Sequence, residues 1–116
     1  MRKIFVNPEK IFGFQPNKGL AFKIYTYVCL NGWDGIPLVP IFKIPEDIRV
    51  EDFRYVLADG HHRMKIAIEL RSLLPCALFN KDETIKPDGI EIAHFRHSSD
   101  KNLYEKLIRF YKNRYI

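Results

Sequence analysis

The sequence predicts an α+β fold, a small mixed β-sheet with packed helices, as a single domain over residues 1–116. Two observations support this prediction. Short runs rich in β-branched and aromatic residues occur along the chain together with longer segments whose apolar residues recur every 3.6 positions. The chain is also long enough for one core, and with 47% hydrophobic and 28% charged residues it has an ordinary globular composition.

The first half contains two predicted strands and one predicted helix. Residues 2–6 form a short strand, and residues 38–44 are apolar almost throughout, which is typical of a central strand covered on both faces. Residues 20–30 fit either the apolar stripe of a helix or the alternation of a strand. A helix is favoured because Gly32 stands where a helix would end.

The second half contains a predicted β-strand, helix and β-strand in succession. Residues 55–58 and 76–79 are apolar strands, and residues 61–72 between them have helical spacing. This order predicts a βαβ-like unit with a right-handed crossover. Ligands of such units bind beyond the carboxyl end of a strand, which is where residues 59–63 follow the first strand.

The C-terminal part is predicted to add a strand over residues 90–95 and, within the segment 98–116, a helix over residues 101–113. The net charge of +5 suits nucleotides, phosphorylated substrates or nucleic acid. A run of basic residues on one helix is more often a solvated face than a nucleic-acid site. The basic residues of this helix are Lys101, Lys106, Arg109, Lys112 and Arg114.

Membrane and secretory signals are not found in the sequence. No apolar run approaches the roughly 18 residues of a membrane span, and residues 1–10 lack the apolar centre of a signal peptide. The prediction is a cytoplasmic protein with no membrane partner. Cys29 and Cys76 stand among apolar residues, so both are predicted to be buried free thiols.

The segment Asp59-Gly60-His61-His62-Arg63 is the strongest candidate site, because it joins a predicted strand to the first turn of a predicted helix. A helix start attracts anions through its N–H groups and its partial positive charge. Gly60 allows close approach to the backbone, and Arg63 can make a forked contact with phosphate oxygens. These five residues are therefore predicted to bind nucleotide phosphates. The competing interpretation is that Asp59 is only an N-cap and Gly60 only a turn residue.

Other chemistry has weaker support. His94 and His97 could bind zinc together with His61 or His62, but neither cysteine is placed to join them, so no dedicated metal site is predicted. Magnesium that arrives with a nucleoside triphosphate or diphosphate needs no motif of its own. Glycine-rich phosphate loops and serine or cysteine nucleophile motifs are absent from the sequence.

The DGHHR motif, with the segments at residues 4–9 and 31–41, resembles the ParB/sulfiredoxin-like superfamily over about residues 2–80. Within it, DGHHR is most similar to the archaeal free-serine kinase branch. The resemblance implies a ParB/sulfiredoxin-like fold, and it implies that Glu9, after Pro8, supplies a general base for phosphoryl transfer. Sulfiredoxins carry a cysteine where this chain has His61 or His62, so sulfinic acid reduction is not expected. Partition ParB proteins continue into a DNA-binding domain for which 116 residues leave no room, so centromere-type DNA binding is not expected.

The predicted function is nucleotide-dependent phosphotransfer or nucleoside triphosphate hydrolysis, with Asp59 or Glu9 as the acid or base and a small molecule as a possible phosphate acceptor. The first alternative is a non-catalytic module, either a nucleotide sensor or a DNA-associated protein of a plasmid, phage or defence system. The second alternative is a nuclease. Trp33 is expected to fill the core rather than to stack on a base.

Overall fold

The structure is a computed structural model that describes residues 1–13, 20–82 and 103–116. A five-stranded mixed sheet organises this part of the chain. The strand order is β1-β5-β3-β4-β2. β3 is parallel to β5 and antiparallel to β4, β1 is antiparallel to β5, and β2 is parallel to β4. The α+β fold class is confirmed. The strands are β1 (Arg2–Val6), β2 (Ile11–Phe12), β3 (Val39–Lys43), β4 (Tyr55–Leu57) and β5 (Leu74–Phe79).

Three α-helices accompany the sheet in this part of the chain: α1 (Phe22–Asn31), α2 (His61–Leu70) and α3 (Leu103–Tyr115). α1 is the helix favoured over the strand alternative, and it ends at Gly32 as predicted. α2 ends two residues before the predicted boundary. The strand predicted over residues 90–95 lies outside the described residues.

The central strand β3 separates two apolar cores, because successive side chains of a strand point to opposite faces of a sheet. Val39 and Ile41 pack with α2 in one core, and Phe42 packs with α3 in the other. The prediction of a central strand covered on both faces is confirmed. The α2-side core consists of Val6, Ile11, Val39, Ile41, Leu57, Ala67, Leu74 and Cys76. The α3-side core consists of Phe12, Phe42, Ile44, Val56, Ala58, Ala77, Phe79, Leu103, Leu107, Ile108 and Tyr111.

Trp33 packs against the α2-side core, as expected. Its indole Nε1 donates a hydrogen bond to Ser72 Oγ at 2.9 Å. The ring thus joins the loop after α1 to the loop after α2.

The predicted βαβ-like unit is wrong. β4 and β5 are not neighbours, because β3 lies between them, and they run in opposite directions. The physical reason is that β3 is apolar on both faces and takes the central position, where it pairs with each of them. Periodicity along a chain identifies strands but does not say which strands pair.

The prediction for the cysteines is half correct. Cys76 is buried in β5, but Cys29 is exposed. α1 buries Val28, whereas Phe22 and Leu30 are also exposed. Cys29 therefore lies on the solvent side of a helix that buries little of its surface.

No helix in the described ranges combines the length and the apolar character that a membrane span requires.

The hydroxyl of Tyr111 ties α3 to the loop between β3 and β4. The Tyr111 ring is fully buried, and its Oη accepts a hydrogen bond from Val50 N–H at 2.7 Å and donates one to Ile48 O at 3.0 Å. Tyr111→Phe leaves both backbone groups without this partner, so we expect a loss of about 1–3 kcal/mol in the free energy of unfolding. Urea denaturation measures this loss.

Tyr115→Phe is the matched control. Tyr115 also packs on Phe12 in the aromatic cluster of α3, but it is only partly buried, and within the described residues its hydroxyl forms no bridge of this kind. We expect a change within about 0.5 kcal/mol. Equal losses in the two variants would contradict a specific role for the Tyr111 hydroxyl.

Candidate functional site

The predicted phosphate-binding motif lies where β4 passes into α2. Ala58 N–H donates to Pro40 O at 2.9 Å, which continues the pairing with β3 just beyond β4. The chain then turns at Asp59 and Gly60, and Met64 N–H donates to Gly60 O at 2.9 Å as the first hydrogen bond of the helix. The five motif residues are therefore brought together at the beginning of a ten-residue helix.

Gly60 is required by the backbone and by its neighbours. Its φ of +97° lies in the left-handed region, which side-chain-bearing residues rarely adopt. A Cβ at this position would lie 3.0 Å from Arg63 Nη2 and 3.1 Å from Val39 Cγ2. The glycine thus makes room for protein atoms, whereas the sequence had suggested room for a ligand.

The N-cap of α2 is Gly60, and no side chain caps the helix. The interpretation of Asp59 as the N-cap is therefore wrong, because the turn places it one residue too early. Asp59 instead faces Arg63, with 4.0 Å between Oδ2 and Nη2, and its side chain is about one-fifth exposed.

Arg63 is a buried cation, only 8% exposed. Its Nη1 donates to Pro37 O at 2.8 Å and approaches Leu38 O at 3.4 Å. The guanidinium therefore holds the chain entering β3 against the start of α2. Sequence reasoning missed this role, because a carbonyl 26 residues earlier in the chain leaves no local signal.

The two histidines of the motif have different environments. His61 is 8% exposed and lies beneath Gly13, where an added Cβ would be 3.5 Å from its Cδ2. His62 is exposed at the helix start. Of this pair, only His62 is exposed.

Glu9 lies in a turn that packs against α2. It is exposed in the short 3-10 turn Pro8–Lys10, and its N–H donates to Asn7 Oδ1 at 3.0 Å. Lys10 O accepts from Arg54 N–H, just before β4, whereas Asp59 follows β4. Since the stretch from Tyr55 to Asp59 spans about 13 Å of near-extended chain, the two predicted catalytic carboxylates lie toward opposite ends of the β2–β4 pair.

Cys76 is a buried thiol, and its environment disfavours a role as a nucleophile. Burial raises the pKa of Cys76 to about 12, and the charge of Arg63 offsets only part of this effect. Its Sγ donates to Leu74 O at 3.3 Å. The thiol therefore stays protonated at neutral pH, and it has the character of a core residue.

No cluster of three or more potential metal-binding side chains occurs within residues 1–13, 20–82 and 103–116. The zinc hypothesis also involved His94 and His97, and both lie outside the described residues.

Comparisons with protein-family models, with curated proteins and with solved structures found no match. The resemblance to the ParB/sulfiredoxin-like superfamily stays a prediction.

The contact between Gly60 and Arg63 predicts non-additive stability. Gly60→Ala introduces an unfavourable φ, on the order of 1–2 kcal/mol, and it also crowds the guanidinium. In an Arg63→Ala background the crowding is removed, so the double variant should be more stable than the sum of the single losses predicts. We expect a coupling energy of about 0.5–3 kcal/mol by chemical denaturation. Strict additivity would contradict the packing of Arg63 on Gly60.

Proposed function

We propose that this protein binds a nucleotide through its phosphates at the start of α2. The observation that carries the proposal is that α2 begins at Gly60 without a side-chain cap. A helix start carries roughly half a positive charge, and backbone N–H groups at such a start suit phosphate oxygens. An anion there would take the place that a capping side chain has in other helices.

The charges around the helix start support an anionic ligand. The Arg63 guanidinium donates to neutral carbonyl oxygens, and its distance to the Asp59 carboxylate is at the long limit for an ion pair. In this proposal Arg63 shapes the turn and supplies positive potential, while the first-turn backbone and the exposed His62 contact the phosphates.

The proposed reaction is phosphoryl transfer to a small acceptor or to water. Such chemistry depends mainly on positioning and electrostatic stabilisation, so one carboxylate beside the bound phosphates is a plausible minimum. Asp59 is the better candidate for the acid or base, or for holding magnesium, because it adjoins the helix start. Glu9 is less suited because it lies toward the other end of the β2–β4 pair.

Nucleotide binding predicts a rise in thermal stability. The nucleotides to test are ATP, ADP, CTP and GTP, each with magnesium. A nucleotide present at a hundred times its dissociation constant raises the free energy of unfolding by about 2.7 kcal/mol, which raises Tm by several degrees. His62→Ala should reduce the rise, whereas Lys65→Ala should not. Lys65 is a matched control because it is a cation on the same helix that pairs with Glu69 at 3.5 Å. Differential scanning fluorimetry, with each variant referred to its own ligand-free Tm, measures the effect.

No rise with any of the four nucleotides would contradict the proposal, and so would equal rises in the two variants. Asp59→Asn then separates an enzyme from a sensor. For an enzyme we expect binding to persist while release of phosphate or transfer to an acceptor is lost. If a nucleotide stabilises the wild-type protein but no product forms, the protein is a sensor.

Binding of duplex nucleic acid is a second candidate function, which the exposure of the basic face of α3 favours. Lys106, Arg109, Lys112 and Arg114 are all exposed, while Leu107 and Tyr111 face the core. We expect fluorescence anisotropy with duplex DNA to give an affinity that falls steeply with salt. Lys112→Glu should lower the slope of log affinity against log salt concentration by about one. Lys23→Glu on exposed α1 is the control. An affinity that is insensitive to salt would exclude this function.

A further inference from the structure

A pocket of about 320 Å³ lies at the end of β3 opposite to the DGHHR motif. β3 and β5 are parallel and both end there, so Lys43 and Phe79 contribute to its lining. Ligands of sheets with parallel strands bind outside the carboxyl ends of those strands. The volume is within the usual range for a small-molecule site.

The lining of this pocket carries an excess of positive charge. Lys43, Arg49 and Lys81 line it together with a single carboxylate, Glu46. Three cations against one anion leave a net charge of +2. Within the described residues, none of these three cations forms an ion pair with a carboxylate. The charge of Asp47 also reaches Tyr104 in the lining, so the pocket keeps a positive excess that suits an anionic ligand.

The Arg49 guanidinium is anchored through one nitrogen, while another of its nitrogens has no hydrogen-bond partner among the described residues. Its Nε donates to Ile44 O at 2.9 Å, which fixes the guanidinium beside the end of β3. Its Nη2 is enclosed by protein, yet no atom in the described ranges accepts a hydrogen bond from it. An enclosed donor without an acceptor is costly. Because Nη2 is enclosed, Arg49 contributes to the pocket that it lines through its positive charge.

The rest of the lining offers an apolar wall and a neutral donor. Leu78, Phe79 and Tyr104 line the pocket, and the Tyr104 ring is fixed edge-to-face against Phe42 with 5.5 Å between centroids. Burial, and then the charge of Asp47, raise the pKa of Tyr104, so its hydroxyl stays protonated and can donate. The pocket thus combines cations with an aromatic surface.

We propose that this pocket binds a small organic phosphate monoester. The phosphate dianion meets the ammonium groups of Lys43 and Lys81 and the positive charge of Arg49. The organic part of the ester lies against Tyr104 and Phe79. This site is separate from the helix start of α2, and neither proposal depends on the other.

Phenyl phosphate is the probe, and two-dimensional ¹H–¹⁵N NMR titration is the measurement. We expect concentration-dependent shifts of the backbone amides of Lys43, Asn80 and Lys81. Arg49→Gln and Lys81→Gln should each weaken binding about tenfold. Lys3→Gln is the matched control, because Lys3 is a strand lysine whose Nζ lies over the Phe5 ring on exposed β1. The control should bind as the wild type does.

Phenol and inorganic phosphate separate the two parts of the site. Each should bind at least about tenfold more weakly than phenyl phosphate, because each lacks one of the two kinds of contact. Equal binding of phenol would overturn the proposal, because the cations would then contribute nothing. If Arg49→Gln fails to fold, Lys81→Gln decides, since the exposed Lys81 has no such internal bond.

Shifts confined to residues 60–63 would also overturn the proposal, because they would assign the phosphate to the start of α2. His62→Ala is therefore included, and it should leave the affinity for phenyl phosphate at the pocket unchanged. Loss of nucleotide binding in that variant with retention of phenyl phosphate binding would distinguish the two sites.

Discussion

The arrangement of the molecule depends on one constraint, the burial of β3 on both faces. A strand that is apolar throughout must be covered by helices on each side and paired along both edges. β3 meets these requirements with α2 and α3 on its faces and with β4 and β5 at its edges. Because β4 is antiparallel to β3 and β5 is parallel to it, β4 ends beside the start of β3, and β5 ends beside the end of β3. The topology therefore creates two separate places where strands end and ligands can approach.

Both ends of β3 are held by arginine side chains that donate to main-chain carbonyls. Arg63 binds Pro37 O just before the strand, and Arg49 binds Ile44 O just after it. A carbonyl satisfies a guanidinium donor but does not cancel its charge. In the two proposals made above, the arginines that hold the central strand also supply positive charge for the anion at each end.

The sequence alone identified most of the helices and strands but not their pairing, and it did not predict the short strand β2. Helical spacing and the glycine stop placed α1 correctly, and the continuous apolar run identified β3 as central. The pairing of β5 with β3 could not be predicted, because sheet order depends on contacts between distant segments. Arg63 shows the same limit within the site. Its position at the helix start was predictable from the sequence, but its hydrogen bond to the Pro37 carbonyl, just before β3, was not.

The internal contacts of the DGHHR motif change which residues carry the argument for a ligand. Gly60 and Arg63 are each explained by packing, since the glycine makes room for the guanidinium and the guanidinium holds the entry to β3. His62 is different, because its exposed ring gains little from burial. In the proposed function its ring contacts the phosphates beside the first turn of α2, whose backbone no side chain caps. The case for a ligand therefore rests on His62 and on that backbone rather than on Gly60 and Arg63.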